Sequence, residues 1–370
     1  MAAREVVLED AKRIGKGKDV WQLSQWYLMR RRFMQSRLSV VGGIVLIVMY
    51  AVAVLAPFLS PNQYEEIDSN YNWSAPTSPN IVNGQLGICA VTQTLNQNTF
   101  AWEYAEDCST FYPLLFFVHS YKYDFFGIVS DLHLFGVEPP AKIYLFGADS
   151  LGRDVFARTL QGSRVSLTIG LIGVAISIVI GSVLGTASGY YGGAVDNVMQ
   201  RVTELLQSMP TLPLWAALAA ALPSTTSVVQ RFFLITIVIS LVSWTGLSRQ
   251  VRAKVLSYRT LDYTLAARLA GASDASIIRT HMLPNSVSHI IVVAALAVPA
   301  TIIAETSLSF LGLGMLPPAV SWGVLLRDAQ QVDSVIQHMW LLIPGLMVIL
   351  AVTCFQFLGD GLRDAADPYS

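Results

Sequence analysis

Residues 165–188 read VSLTIGLIGVAISIVIGSVLGTAS, a run with no Asp, Glu, Lys or Arg. A helix rises about 1.5 Å per residue, so roughly 20 apolar residues cross the hydrocarbon core of a bilayer. The run is long enough, and it lacks the period-two alternation of a barrel strand. Lipid cannot satisfy backbone N–H and C=O groups, so this stretch predicts a helix. The charge-free interval around it extends from Val165 to Val195. Five more apolar ones occur: Leu38 to Tyr64, Leu205 to Gln230, Phe232 to Ser248, Thr280 to Ala304 and Ser334 to Gly359. One span in each gives 39–58, 165–188, 204–222, 232–248, 288–312 and 340–358. The expectation is an all-α membrane protein with six transmembrane helices.

Composition agrees. Charged residues make up 13% of the 370 and hydrophobic ones 53%, whereas a soluble domain carries about 25% charge. A cytosolic enzyme, a disordered scaffold and, with 24 basic against 25 acidic residues, a nucleic-acid binder are disfavoured.

The basic residues set the orientation. Residues 1–38 hold nine Lys/Arg and four acids, 249–287 hold six and two, and 59–160 hold four and eleven. The positive-inside rule places the first two segments in the cytoplasm and the third outside, with both termini inside. The chain then divides into a cytoplasmic tail (1–38), a first transmembrane helix (39–58) and an extracytoplasmic lobe (59–163). A five-helix core (164–360) follows, carrying the basic loop 249–287, and a cytoplasmic tail (361–370) ends the chain. A cleaved signal peptide is the alternative for the first span, but 38 residues precede it and its apolar run exceeds an h-region.

The lobe combines Asn, Thr, Ser and Pro with aromatic clusters at Phe111–Phe117 and Tyr121–Phe126. It reads as α/β or β-rich, with a small core of its own. Cys89 and Cys108 fall in it, on the oxidising side, where a pair forms a disulfide; two unpaired buried thiols are the alternative. Cys354 reads as a small apolar helix residue.

The segment from Asp262 to Asn285, DYTLAARLAGASDASIIRTHMLPN, reads as two short helices around a break. Gly271 can close the first in the left-handed conformation, Ser273 or Asp274 can cap the second, and Pro284 would stop it. Ala266, Ala267 and Ala270 give a small-residue face. By itself this is an ordinary interfacial loop. Its spacing nevertheless resembles the cytoplasmic "EAA" loop of bacterial ABC importer permeases, with Leu265 in place of the usual Glu and His281 at the Ile position. FGADSLGRDVF at 146–156, GYYGG at 189–193 with Asp196 and Arg201, and ETSLSFLGLG at 305–314 followed by Pro317-Pro318 and Trp322-Gly323 resemble segments of the dipeptide/oligopeptide-type permeases. The resemblance covers about 30–60 and 143–360.

It implies the type I importer architecture in a bacterial inner membrane, and uptake of di- or oligopeptides. Oligosaccharides or nickel chelates are alternative cargoes. It implies an ATPase-docking loop comprising Asp262, Tyr263, Ala266, Ala267, Arg268, Gly271, Ala272, Ser273 and Asp274. It also implies a second homologous permease, two ATPase subunits or domains, and an extracytoplasmic solute-binding protein as partners. No P-loop is present, the nearest candidate being Gly15-Lys16-Gly17-Lys18, so ATP and Mg belong to the partner ATPase. No cofactor is expected in this chain, and no Cys/His set has metal-ligand spacing.

Two further features bear on a path through the membrane. Glu305 is an acid well inside a span, where it either lines the path or makes a structural hydrogen bond. Pro210 and Pro213 each remove a backbone donor and should break the third span, which places Met209, Pro210 and Pro213 beside a wet cavity. Gly181, Gly185 and Gly189 form a ladder suited to close helix contact, within the chain or against the second permease. The rival reading is an ion-coupled transporter or channel with Glu305 as its ion site. A membrane-anchored enzyme is weaker, because no catalytic set appears in 59–160.

Overall fold

The computed structural model describes residues 25–82, 84–95, 102–125, 127–223 and 225–366. The first 24 residues of the N-terminal tail, with the Gly15–Lys18 stretch, and the last four of the C-terminal tail lie outside these.

Helix α1 (Gln25–Gln35) leads into α2 (Arg37–Val54) and the short α3 (Ala56–Leu59). Five strands follow: β1 (Asn80–Val82), β2 (Gln85–Leu95), β3 (Trp102–Pro113), β4 (Leu115–Phe125) and β5 (Ile128–Gly136). The first three form an antiparallel sheet in chain order, and the last two a hairpin. The chain then enters α4 (Val155–Tyr191), α5 (Gly193–Ser208), α6 (Thr211–Ala220) and α7 (Val228–Tyr258). Next come α8 (Asp262–Leu269), α9 (Asp274–Ile277) and α10 (Leu283–Phe310). The short α11 (Trp322–Leu325) and α12 (Val332–Gln337) precede α13 (Ile343–Ala366).

Among the described residues, five stretches are long and apolar enough to cross a membrane: Arg37–Val54, Val155–Tyr191, Val228–Tyr258, Asp274–Phe310 and Met339–Ala366. Each overlaps an expected span, and four overrun theirs by several residues. The third expected span differs. Residues 204–222 are not one helix, because α5 ends at Ser208 and α6 starts at Thr211, with Pro210 as its N-cap. Pro213 breaks nothing. It lies in the first turn of α6, where a backbone N–H has no intrahelical partner to lose. Pro284 likewise fails to stop its helix. A π-turn over Ile278–Met282 joins α9 to α10, and Pro284 sits in the first turn of α10.

The glycine ladder is spent inside the chain. A Cβ on Gly181 would lie 2.9 Å from the Trp244 carbonyl oxygen, one on Gly189 would lie 2.8 Å from that of Arg252, and one on Gly185 would collide with Ser248. Helices α4 and α7 therefore pack backbone to backbone, as small residues allow in lipid. On another side α2, α4, α10 and α13 enclose Leu46, Met49, Leu167, Val298, Ile302 and Phe355.

The strands do not build the core expected of the lobe. Among their described side chains the buried ones are Ile88, Cys89 and His133, while Phe116 and Phe117 are exposed. Cys89 and Cys108 are joined as a disulfide across β2 and β3. The hairpin is tied to the end of the first membrane helix by His133, whose ring nitrogens lie 3.0 Å from the Pro57 and Tyr121 carbonyl oxygens.

Candidate functional site

At one end of the helices the 262–283 loop is anchored from beneath and open above. Thr264, Ile277 and Met282 are buried, and the Thr264 hydroxyl donates to the Tyr258 carbonyl at 2.9 Å. Gly271 has φ +79°, and Ser273 caps α9 by accepting from the Ser276 N–H. The C-terminal end of α4 holds the loop in place. The Tyr190 hydroxyl lies 2.6 Å from Asp274 Oδ1, and Arg268 donates to that hydroxyl at 3.3 Å while lying over the ring. Arg259 donates to the Tyr190 carbonyl. Of the predicted set, Asp262, Tyr263, Ala266, Arg268, Gly271, Ser273 and Asp274 are exposed, and Ala267 and Ala272 are half-buried. Leu261, Leu265 and Leu269, spaced four apart and so on one helical face, add an exposed apolar stripe, with Leu269 89% exposed. The Leu at position 265, a departure from the family pattern, completes that stripe.

A second ion pair braces the same end. Arg252 grips Asp196 with two bonds of 2.5 Å, and the Ser188 hydroxyl donates to the same carboxylate. The Arg252 guanidinium holds the Asp196 carboxyl down to about 2. Asp196 and Arg201 stand together in the sequence motif, but Arg201 pairs with Glu204 on the surface. Only the fold shows that Asp196 reaches Arg252, 56 residues away.

At the opposite end of α4, residues 146–156 form a clasp. Asp149 accepts from the Leu151 and Arg153 N–H groups and pairs with the Arg153 and Arg158 guanidinium groups at 2.8 Å. Asp154 caps α4 through the Phe156 N–H and accepts from the Asn62 amide at 3.0 Å. Burial pushes its carboxyl up to about 7, against the lowering effect of the Asn62 bond. Trp340 closes the clasp by donating to the Ala148 carbonyl.

Between the two ends lies a cavity of about 510 Å³, its wall contributed by α4, α5, α6, α7 and α10 through residues such as Ser177, Gln207, Thr211, Trp215, Gln250 and Thr301. Among the described residues, none that lines it is charged. Met209, Pro210, Pro213 and Glu305 do not line it either. The helix break lies between its lining residues Gln207 and Thr211, and Met209 is exposed to the side. Glu305 is fully buried elsewhere. It accepts from Ser166 at 3.0 Å and Ser309 at 2.8 Å, and Ser166 in turn accepts from the Trp322 N–H. This network bonds α10 to α4 and α11. A carboxylate placed so is held by hydroxyl donors and has no opening through which to meet cargo.

Comparison with known proteins adds to this geometry. Residues 156–369 match the family described as the binding-protein-dependent transport system inner membrane component. Residues 24–76 match the N-terminal TM domain of oligopeptide transport permease C. The dipeptide transport system permease protein DppC of Bacillus subtilis is 39% identical over 233 residues, covering 62% of this chain and 70% of the relative. The oligopeptide transport system permease protein OppC of Haemophilus influenzae is 41% identical over 241 residues, covering 65% and 75%. The glutathione transport system permease protein GsiD of Pectobacterium atrosepticum is 39% identical over 231 residues, covering 62% and 74%. Residues 77–155, with all five strands, lie between the two matched stretches.

Proposed function

The chain belongs to the binding-protein-dependent transport system inner membrane components, and on that premise we propose that it is a permease subunit of an ATP-driven importer of di- and oligopeptides. Peptide cargo is supported by relatives named for dipeptide, oligopeptide and glutathione transport. A multi-pass position in the bacterial inner membrane follows from the family and the apolar helices.

The single observation that carries the mechanism is the 262–283 loop, anchored below and presenting an apolar stripe above. Exposed leucines on a basic, cytoplasm-facing loop suit a partner surface. The partner is an ATPase subunit, which binds ATP and Mg. Closure of the ATPase pair pushes on α8, and Tyr190 and Arg268 pass the displacement to α4. The chain supplies no catalysis of its own; its work is to change which side the 510 Å³ cavity faces. A second permease completes the pathway, and a solute-binding protein delivers cargo from outside.

The topology has six crossings, five of them by the long apolar helices and the third by a broken helix. The segment 192–220 starts at Asp196 beside Arg252, near the C-terminal end of α7, and ends at Ala219 beside Ile235, near its N-terminal end. It runs antiparallel to α7 for roughly 25 Å, at 1.5 Å per residue, although α6 alone is too short to span. The N-terminus, the 249–287 loop and the C-terminus then lie inside, and the 59–163 segment outside, in the domain division read from the charges. The break at Met209-Pro210, exposed next to the cavity wall, is where the path can flex.

Reconstitution with the ATPases and binding protein tests the reading. Leu269→Asp should reduce ATP-driven peptide uptake at least tenfold and release the ATPase on purification, with the variant still in the membrane. Full uptake with that stripe charged would sink the docking assignment.

A further inference from the structure

A pocket of about 250 Å³ lies where the first membrane helix, the β4–β5 hairpin and the start of α4 meet, and nothing in the transport cycle uses it. Its wall carries two cations, Lys122 and Arg164, two acids, Glu65 and Asp124, and the rings of Tyr64 and Tyr121. Arg164 is the tenth residue of α4, about 14 Å along the helix. It is half-buried, donates to Gln161 at 3.4 Å, and forms no ion pair among the described residues. At the end of a spanning helix, a half-buried guanidinium without an ion pair favours an anionic partner such as a phosphate, which its fork binds with two bonds.

The level of the pocket says what that partner is. Below it both helices are apolar: the charge-free intervals 38–64 and 165–195 end at its floor. The outer face of α2 exposes Ile44, Ile47, Val48 and Val54. An apolar groove of about 300 Å³, lined by Val48, Met49 and Val52 of α2, Leu160 of α4 and Met347 and Leu350 of α13 among others, lies lower on α2, on a different face of α4 from the pocket. Hydrocarbon below and a mixed-charge pocket above is the profile of a phospholipid.

We propose that this pocket binds the headgroup of a phospholipid bearing a phosphate and a primary ammonium, a phosphatidylethanolamine type, with its acyl chains along the exposed apolar face of α2. The phosphate takes the Arg164 fork and the Lys122 ammonium. The headgroup amine meets Glu65 and Asp124, with the tyrosine rings alongside. A bare anion would leave the two carboxylates uncompensated, and a trimethylated amine could not donate to them. The proposal rests on the 59–163 segment lying outside. Labelling Lys122→Cys from the outer face with an impermeant maleimide tests that reading separately.

The experiment is native mass spectrometry of the assembled transporter exchanged into vesicles of equal phosphatidylethanolamine, phosphatidylglycerol and phosphatidylcholine. One phosphatidylethanolamine should be retained per chain, and Lys122→Gln and Arg164→Gln should each weaken retention about tenfold. Glu65→Gln should erase the preference over phosphatidylglycerol. Because Lys122 and Glu65 are exposed, their variants keep the test decisive if Arg164→Gln fails to assemble. Equal retention of all three lipids by the wild type, retention unchanged in the variants, or displacement of the lipid by inorganic phosphate alone would each overturn the proposal.

Discussion

The helical body and the strand-bearing insert at 77–155 invert the usual rule of burial in different ways. In the body, Ser166, Thr236, Ser240, Ser286 and Ser309 are buried while Ile47, Val179 and Leu346 face outward. Lipid is the solvent there, so apolar exposure is free and helices pair through hydroxyls and glycines. In the insert, Ile81, Phe116, Phe117, Ile128 and Val129 are exposed with no bilayer reading to explain them, and among the described side chains of the strands only Ile88, Cys89 and His133 are buried. The body is held by close packing. The insert is held by ties: a disulfide, the paired strands, and bonds from His133 and Tyr104 to the segments beside it.

The seam between the two regions offers the largest test of that contrast. Asp154 is buried there, with its carboxyl raised from 3.8 to about 7. A raised carboxyl favours the protonated form when folded. Folded chains therefore hold more protons than unfolded ones between about pH 4 and 7, and stability falls as pH rises through that window and is flat above it. Three units at 1.36 kcal/mol each give about 4 kcal/mol. Thermal unfolding of Asp154→Asn in detergent should lack this slope; a slope equal to that of the wild type would place the origin elsewhere.

Gly185→Leu comes next, since its side chain would enter the Ser248 backbone. A cost of about 3 kcal/mol is expected for the body, read as a lower melting temperature and poor assembly. An unchanged melting temperature would mean that α4 and α7 are not packed by their glycines.

Replacing both Cys89 and Cys108 with Ser should cost about 3 kcal/mol by the chain-entropy model, confined to the strands. Hydrogen exchange should rise across β2 and β3 while peptide uptake continues. Loss of uptake alongside it would show that the insert is energetically continuous with the body.

The smallest effect is set at the loop end of α4. Asp196→Asn should cost about 2 kcal/mol by weakening its bonds to Arg252. That contribution belongs to a depressed carboxyl, so it is present above about pH 4 and is lost as pH falls towards 2. A pH-independent difference between wild type and variant would contradict the pairing.

What was legible in the sequence follows the same division. The body is written in its charges, because expelling Lys, Arg, Asp and Glu from lipid leaves intervals such as 165–195 that need no knowledge of contacts. Pro210 marked the interruption of the third span, because a missing N–H is a local fact. Pro213 and Pro284 misled for the opposite reason: a proline's effect depends on which turn it occupies. The helix–break–helix shape of the 262–283 loop was legible through Gly271 and Ser273. Its anchors were not, since Tyr190–Asp274 and Asp196–Arg252 join residues 84 and 56 apart. Glu305 showed itself as an anomaly, while its partner Ser166 is 139 residues distant and looks like any serine in an apolar run. The insert was read as strand-rich from its aromatics, but those same aromatics suggested a core that the strands do not make.

Helix α4 is 37 residues long, about 55 Å at 1.5 Å per residue. The Asp149–Asp154 clasp grips one end, and Tyr190, beneath the 262–283 loop, sits at the other. A strut of that length works as a lever: with the clasp as fulcrum, a tilt of about 10° carries the far tip roughly 10 Å. One rigid rod thus links a small angular change at the clasp to a displacement about the width of a helix at the loop end, with no relay of side chains needed between them.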